Sequence, residues 1–453
     1  MMARRGSAPV RMSSAAAVLL ACCAPGLLSA RQAGPVLSLD AAVALAREQN
    51  RTLEAQRLDV EKATQQLEAF GTQKLPAIDV NVSTGSLLVP LDFRFAQGVF
   101  GMFPGIGPVP GADTVVRTDP RLTSVVLATV RQPLTQLRRI DFGARALSVS
   151  RDVAREQVRG REAEIAAGVK TLYYGIVQAE AGLRARAESV RLHRELVRVV
   201  EQFAKERAVL PADLLSVRAA LMKEEHQLAA ARNGATGYRE QLNATLGREL
   251  EEPFEVEPLQ PARVTDEDLR AAESVAAVQR TEVRISRLQS EQAEFALRAT
   301  RKPFAPDLSV SFNYAGFYGF EMLPRHGALF GVLATWEPWD WGRARAERQE
   351  KRLVRNQAQI AARETEAMVR VDVRARFRAV HEAFDLVQVT EAAREAAREQ
   401  LRVATERFGR QAALERQLLE AQTRLAQSDF DCQQALAGYW TARAEFERAR
   451  GDQ

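Results

Sequence analysis

The sequence is poor in the residues that carry most enzyme chemistry. Four histidines and three cysteines serve 453 residues, and aromatics make up only 6% of them. His193, His226, His326 and His381 are scattered, with no short-spaced ligand pair, so no metal centre is indicated and no cofactor is expected. No phosphate-binding glycine loop, dinucleotide fingerprint or Gly-x-Ser-x-Gly elbow is found, and Cys432 lies between Asp431 and Gln433 without a histidine nearby. The expectation is a protein that is not an enzyme. A charge excess of one sign is missing too. Against 58 acidic residues stand 63 basic ones, and the formal +5 falls to +2 once Arg4, Arg5 and Arg11 are set aside, which gives nucleic-acid binding no electrostatic basis.

Those three arginines precede an uncharged, mostly apolar run from Met12 to Ala30, the pattern of an export signal over residues 1–30. Its strongly apolar part, centred on Ala15 to Leu20, is too short for a retained membrane helix, and Pro25 and Gly26 interrupt the run. Two readings of its cysteines stand side by side. Leu19-Leu20-Ala21-Cys22 resembles a bacterial lipoprotein box, which would make Cys22 a lipidated first residue; cleavage after Ser29-Ala30 would instead remove Cys22 and Cys23.

What is present is repetition. Lys74-Leu75-Pro76-Ala77-Ile78-Asp79-Val80 recurs as Lys302-Pro303-Phe304-Ala305-Pro306-Asp307-Leu308, and Gln132-Pro133-Leu134 recurs within Trp336-Glu337-Pro338-Trp339-Asp340-Trp341-Gly342. The first half carries extra residues between these landmarks, in the Gly/Pro-rich stretch Phe95 to Asp119, which would be a lid, a receptor surface or a disordered loop. The repetition divides the chain into a first repeat over 31–248 with a β-hairpin at 76–133, a proline-marked linker over 249–265, and a second repeat over 266–450 with a hairpin at 306–338.

Within the hairpins the period is two. Ile78, Val80 and Val82 alternate with Asp79, Asn81 and Ser83, while Leu308, Val310, Phe312 and Tyr314 alternate with Asp307, Ser309, Ser311 and Asn313. Returning strands follow near Leu122 to Arg131 and Ala328 to Trp336, each about as long as a tilted membrane-spanning strand. Elsewhere the period is helical. Val169, Ile176, Leu183, Val190, Val197 and Ala204 recur at sevens in the proline-free stretch Asp141 to Arg207, and Val373, Val380 and Val387 do so in Arg343 to Gly409. Each stretch makes a helix of about 100 Å at ~1.5 Å per residue. Shorter helices are expected over Leu39 to Gln73, Ala212 to Leu246, Asp268 to Thr300 and Ala413 to Arg450, with Asp213 capping the turn after Leu210-Pro211.

Four strands with one apolar side cannot close a barrel, for which about eight are needed. Three copies would supply twelve and leave no edge unpaired. Fourteen of the 29 aromatics fall within residues 93–103 and 304–341, and Trp336, Trp339 and Trp341 mark the end of the last strand, as an interfacial girdle would.

These residues carry a family resemblance. The start Leu37-Ser38-Leu39-Asp40-Ala41-Ala42, the two strand ends containing Pro133 and Pro338, and Asp213-Leu214-Leu215 at a helix turn resemble the TolC-type outer membrane efflux proteins, over residues 37 to 450. The resemblance implies a mainly α fold with transmembrane β: a homotrimeric 12-stranded barrel in outer membrane lipid, four strands per chain, continued by a long periplasmic α-helical barrel. It implies a passive exit duct for tripartite efflux or type I secretion, docked on a periplasmic adaptor and an inner-membrane transporter of the RND or ABC type. A periplasmic coiled-coil scaffold or adaptor is the alternative. By the same resemblance Phe408, Glu415, Gln417 and Glu420 fall at the periplasmic entrance, although Gln417 stands on one of two positions that are acidic in the family and Gln411 where glycine is usual. Ordinary solvated helix charges are the other reading of Glu415 and Glu420. Adaptor hairpins would meet the tips at Ala208, Val209 and Leu210 and at Gln411, Ala412 and Ala413; the other reading is that Val209 and Leu210 only fill the turn.

Overall fold

The computed structural model describes residues 35–86, 88–119, 121–206, 210–259, 268–301, 306–320, 323–410 and 415–452. Two series of elements follow each other. The first runs β1 (Val36–Leu37), α1 (Leu39–Gln49), α2 (Arg51–Gly71), β2 (Ala77–Ser86), β3 (Leu91–Phe95), β4 (Met102–Phe103), β5 (Gly107–Pro108), β6 (Thr114–Thr118), β7 (Leu122–Pro133), α3 (Leu137–Lys205) and α4 (Pro211–Leu246). After β8 (Glu255–Val256) the second runs α5 (Leu269–Gln279), α6 (Thr281–Ala299), β9 (Asp307–Tyr318), β10 (His326–Thr335), α7 (Arg343–Gly409) and α8 (Glu415–Arg450). The long helices have 69 and 67 residues, and α3 begins one turn earlier than the sequence pattern suggests. No helix among the described residues is long and apolar enough to cross a membrane.

Each of the two expected helices ahead of the strands is in fact two, broken at a single extended residue, Asn50 or Arg280. The breaks are built alike. The Asn50 side chain caps α2 by accepting from the N–H groups of Thr52 and Leu53, and donates to the Thr245 carbonyl at the end of α4 at 2.8 Å. Arg280 donates to the Ala449 carbonyl at the end of α8 at 3.0 Å, and to Asp372 and Glu282 at 2.8 and 2.9 Å. Behind each break sits a left-handed glycine that terminates the last helix of its series. Gly247 lies so close to the Gln49 carbonyl that a Cβ would stand 2.6 Å from that oxygen, and Gly451 packs against Gln279 and Arg280. Each helix break is therefore fastened to the end of the last helix in its own series.

Arg280 is 8% exposed, so its charge must be matched. Burial alone would raise the Asp372 carboxyl; hydrogen bonding to Arg280, then that guanidinium's charge and Arg376, hold it below the usual carboxylate range. Glu282 is lowered in the same way, burial again opposing Arg280.

The core is a set of seams rather than a ball. Helix α3 packs along α2, α4, α6 and α8, and α7 along α5, α6 and α8. Val169, Ile176 and Val190 of the expected heptad row are buried, as are Val373 and Val387 in α7. Fully burying such a side chain contributes about 1.5–3 kcal/mol. Midway along α3, Tyr173 donates to the Leu37 carbonyl and accepts from the Glu257 N–H, fastening a parallel β1–β8 pair to the helix. The linker read from its prolines thus contributes a strand. Burial, then the nearby Glu447 carboxylate, pushes the neighbouring Tyr174 phenol up to about 12.

Because Asn50 supplies both a cap and a tie between helices, Asn50→Ala should cost about 1–3 kcal/mol of stability. Denaturant unfolding followed by circular dichroism checks this. Asn50→Asp should recover part of the loss, since it keeps the acceptor for Thr52 and Leu53 and loses only the bond to Thr245.

Candidate functional site: an open sheet and two helical tips

The four long strands form one antiparallel sheet in the order β10-β9-β7-β2. Its register fixes what stands on each side. Ile78, Val130, Phe312 and Phe330 form one cross-strand row, and Val80, Ala128, Tyr314 and Ala328 the next, on the same side. Asp79, Thr129, Asn313 and Leu329 form a row on the other, and Ala77, Arg131, Ser311 and Gly331 another. Over these rows one side is thus apolar and largely uncovered, with Ile78 70% and Phe330 74% exposed, and it turns polar only further out, at the Thr84–Ser124 pair. The opposite side is polar along β2 and in the rows of β7 and β9 nearest the helices, where Thr129 bonds Asn313 and where Ser309 and Ser311 are buried. Further out, Leu127, Val125 and Phe317 make it apolar. Strand β10 departs from the expected alternation, presenting Leu329 and Leu333 on this side. Among the described residues β2 and β10 each pair with one strand only, leaving both outer edges open.

Beyond the sheet, the Gly/Pro-rich insertion is ordered into strands. β3 pairs with β6 and β4 with β5, and Gln97 clasps the arm by bonding Asp113 and the Gly111 carbonyl. At the opposite end, Leu134 N–H donates to the Leu308 carbonyl, and Leu308 N–H donates to the Thr135 hydroxyl at 2.9 Å. The Lys74 ammonium, bonded to Asp141 at 3.1 Å, holds that carboxyl below its usual range.

The expected interfacial tryptophans lie in this joint. Trp336, Trp339 and Trp341 are 54%, 70% and 90% exposed, and Trp339 meets Trp341 edge to face at 5.7 Å. Asp340 between them caps α7 by accepting from the Gly342 and Ala344 N–H groups. The turn requires left-handed backbone at both Trp341 (φ 54°) and Gly342 (φ 83°), so only Trp341 is strained.

At the far end of the helices, Leu210 is exposed and its N–H donates to the Asp213 carboxylate at 3.2 Å, the cap expected from sequence. Ala208, Val209, Gln411, Ala412 and Ala413 lie outside the described residues, as does Cys22 with the whole 1–34 segment. Phe408 falls in the last turn of α7, and Glu415 opens α8. Gln417 and Glu420 are exposed and three residues apart, hence on one face of α8. Leu419, one residue before Glu420, packs with Leu196, Val200 and Val217, so the α8 tip is seated on the α3–α4 tip. Ion pairs Glu180–Arg239, Arg194–Glu225 and Glu201–Arg218 run up the α3–α4 seam at 2.5–2.6 Å. Exposed pairs of this kind contribute about 0–1 kcal/mol each.

Two of the remaining candidates for chemistry, His193 and Cys432, are packed, while His226, His326 and His381 are exposed. His193 is buried with Nδ1 2.8 Å from the Ser189 carbonyl, and burial pushes the Cys432 thiol up, away from the nucleophilic thiolate. Among the described residues no group of His, Cys, Asp and Glu is placed to hold a metal ion.

No protein-family model matches this chain, and no curated protein sequence does. Solved structures do. The Campylobacter jejuni CmeC outer membrane channel matches with a TM-score of 0.75 at 16% identity, over 91% of this chain and 85% of that one. The outer membrane protein VceC of Vibrio cholerae gives 0.73 at 12% identity over 91% and 96%, and the open state of the Neisseria gonorrhoeae MtrE outer membrane channel gives 0.69 at 16% over 91% and 88%. This chain has the fold of the TolC-type outer membrane efflux channels, as the sequence motifs suggested.

The exposed apolar side gives a direct test. Val310→Asp with Phe312→Asp should keep the chain out of the membrane fraction, since each carboxylate on a lipid-facing strand costs up to about 2 kcal/mol near mid-depth. Asn81→Asp, on the polar side, should leave membrane recovery unchanged when fractions are blotted.

Proposed function

We propose that the chain is one protomer of a trimeric outer membrane exit duct. One observation carries this reading: a four-stranded sheet with two open edges and an uncovered apolar side, in a chain with the fold of outer membrane channels. In water such a sheet would be an aggregation hazard. In a bilayer the apolar side meets lipid, but each open edge must find a partner. Pairing β2 of one copy with β10 of the next three times over closes twelve strands, leaves the polar side towards the lumen, and extends the helices as a periplasmic tube.

We read the two series of elements as a duplicated unit over 31–248 and 266–450, joined by 249–265, with residues 1–30 as an export signal and Cys22 as its candidate lipidation site. The match between the Asn50–Gly247 and Arg280–Gly451 fastenings supports that reading. Transport is passive in this account, the driving energy coming from an inner-membrane RND or ABC transporter through a periplasmic adaptor that docks at Ala208–Leu210 and Gln411–Ala413. Phe408, Glu415, Gln417 and Glu420 form the entrance. Three Glu420 carboxylates around one axis would favour cations and resist closure.

Light scattering on detergent-extracted protein from fractionated outer membranes should give a protein mass three times that of the chain. A soluble periplasmic monomer or dimer would leave the coiled-coil scaffold as the better reading. In planar bilayers, Glu420→Lys should move the cation-to-anion permeability ratio towards anions by about twofold or more; an unchanged ratio would return Glu420 to an ordinary solvated charge.

A further inference from the structure

Where the sheet gives way to the helices, α3, α6 and α7 enclose a cavity of about 860 Å³ with an unusual charge balance. Six arginines line it, Arg138, Arg139, Arg298, Arg301, Arg348 and Arg352, against two carboxylates, Glu294 and Asp307. Both carboxylates are already engaged. Asp307 lies 3.7 Å from Arg139, and Glu294 bonds Arg298 at 3.1 Å while also reaching Arg355 at 3.5 Å. Among the described residues, Arg138, Arg301, Arg348 and Arg352 have no carboxylate partner. The Arg348 Nε is buried without an acceptor, as are the Nε atoms of Arg47, Arg355 and Arg394 outside the cavity.

Gathering like charges from three helices around a half-enclosed space is unfavourable where water does not screen them, and a bound anion would relieve that repulsion. A buried guanidinium nitrogen without an acceptor points to a missing partner. The residue type narrows that partner further, because guanidinium forks match two oxygens of one tetrahedral oxyanion, whereas a general attraction for anions needs only point charges. We propose that this cavity is a phosphate-binding site. Two sources present the same chemistry: the headgroup of an anionic membrane lipid, since the cavity lies level with Asp307 and Thr135 where the sheet begins, and a phosphate-bearing solute, since Asp307 stands on the polar side of β9. Binding itself does not depend on the channel reading; only the assignment of the second source to the lumen rests on it.

The test uses the full chain extracted in uncharged detergent and titrated calorimetrically with two probes, inorganic pyrophosphate and short-chain phosphatidylglycerol, with phosphatidylcholine as the zwitterionic control. Saturable binding of pyrophosphate identifies a solute site. Binding of phosphatidylglycerol alone, over phosphatidylcholine, identifies a lipid site. In either case Arg348→Gln with Arg352→Gln should weaken binding about tenfold or more, and Arg348→Lys with Arg352→Lys should weaken it less, because charge is kept and only the fork is lost. If the Gln pair loses helical signal, the Lys pair against wild type carries the test. Wild-type protein that takes up neither probe, or Gln-pair protein that binds like wild type, overturns the proposal. Light scattering on the same sample separates the two readings: a monomer that binds phosphate keeps the cavity and removes the duct, and a trimer that does not bind removes the cavity and keeps the duct.

Discussion

A helix of 69 residues is too long to be wrapped by one compact core and must find its burial stretch by stretch. Everything else in this fold answers that constraint. Burial comes mainly from flanking helices, so α3 must keep apolar or small side chains towards several neighbours at once, and α2, α4, α6 and α8 take successive stretches of it, with the β1–β8 pair covering its middle. The buried rows are accordingly narrow: Val169, Ile176 and Val190 are covered while the charged residues between them reach water or pair across the seam. Such an arrangement resists bending only where neighbouring helices are tied to one another along their length.

Those ties concentrate in a belt part-way along the helices. The breaks at Asn50 and Arg280 let a short helix change direction within one residue, and each break is bonded to the carbonyl end of the last helix in its series. The two solutions share geometry but differ in chemistry. Asn50 is neutral, and its amide can satisfy donors and an acceptor at once. Arg280 brings a charge into a site where it is 8% exposed, which Asp372 and Glu282 must balance, and Asp372 is in turn held by Arg376. A buried ion pair of this kind adds little net stability compared with an apolar contact, yet losing one member leaves a charge stranded. The Arg280 break is therefore the more sensitive to substitution.

How far the sequence exposes this fold depends on whether the cause is local. Alternation in Ile78-Asp79-Val80-Asn81-Val82 and in Leu308 to Tyr314 is local, and it places the strands and their sides correctly. The heptad rows are local too, and the Asp213 cap follows from a proline-led helix start. The break at Arg280 is not local: no glycine or proline marks it, and its reasons are the Ala449 carbonyl and Asp372, far away in the chain. Leu329 and Leu333 defeat the alternation because β10 is rich in small and apolar residues at both phases, so period alone does not assign its sides. The arginine cavity was equally hidden, since its members come from three separate helix ends. The one available signal was the density of arginine beside the repeated landmarks, as in Arg138-Arg139 and Arg298 to Arg301.

The joint between sheet and helices is where these threads meet, because two incompatible periods must be connected there without leaving backbone groups unpaired. In the first series Gln132 does this with its side chain, donating to the carbonyls of Lys74 and Pro133. In the second, Asp340 caps α7 directly and Trp341 accepts a left-handed backbone so that the helix can start at once. That conformation costs a non-glycine residue about 1–2 kcal/mol. The cost is tolerable only if a tryptophan is wanted at that level, and Trp341 is 90% exposed, so packing within the chain does not supply the reason. An amphipathic ring held outward at the end of an apolar strand side belongs at the boundary between lipid and water. Under the outer membrane reading proposed above, the strain at Trp341 would be what holds its ring at the level where the bilayer ends.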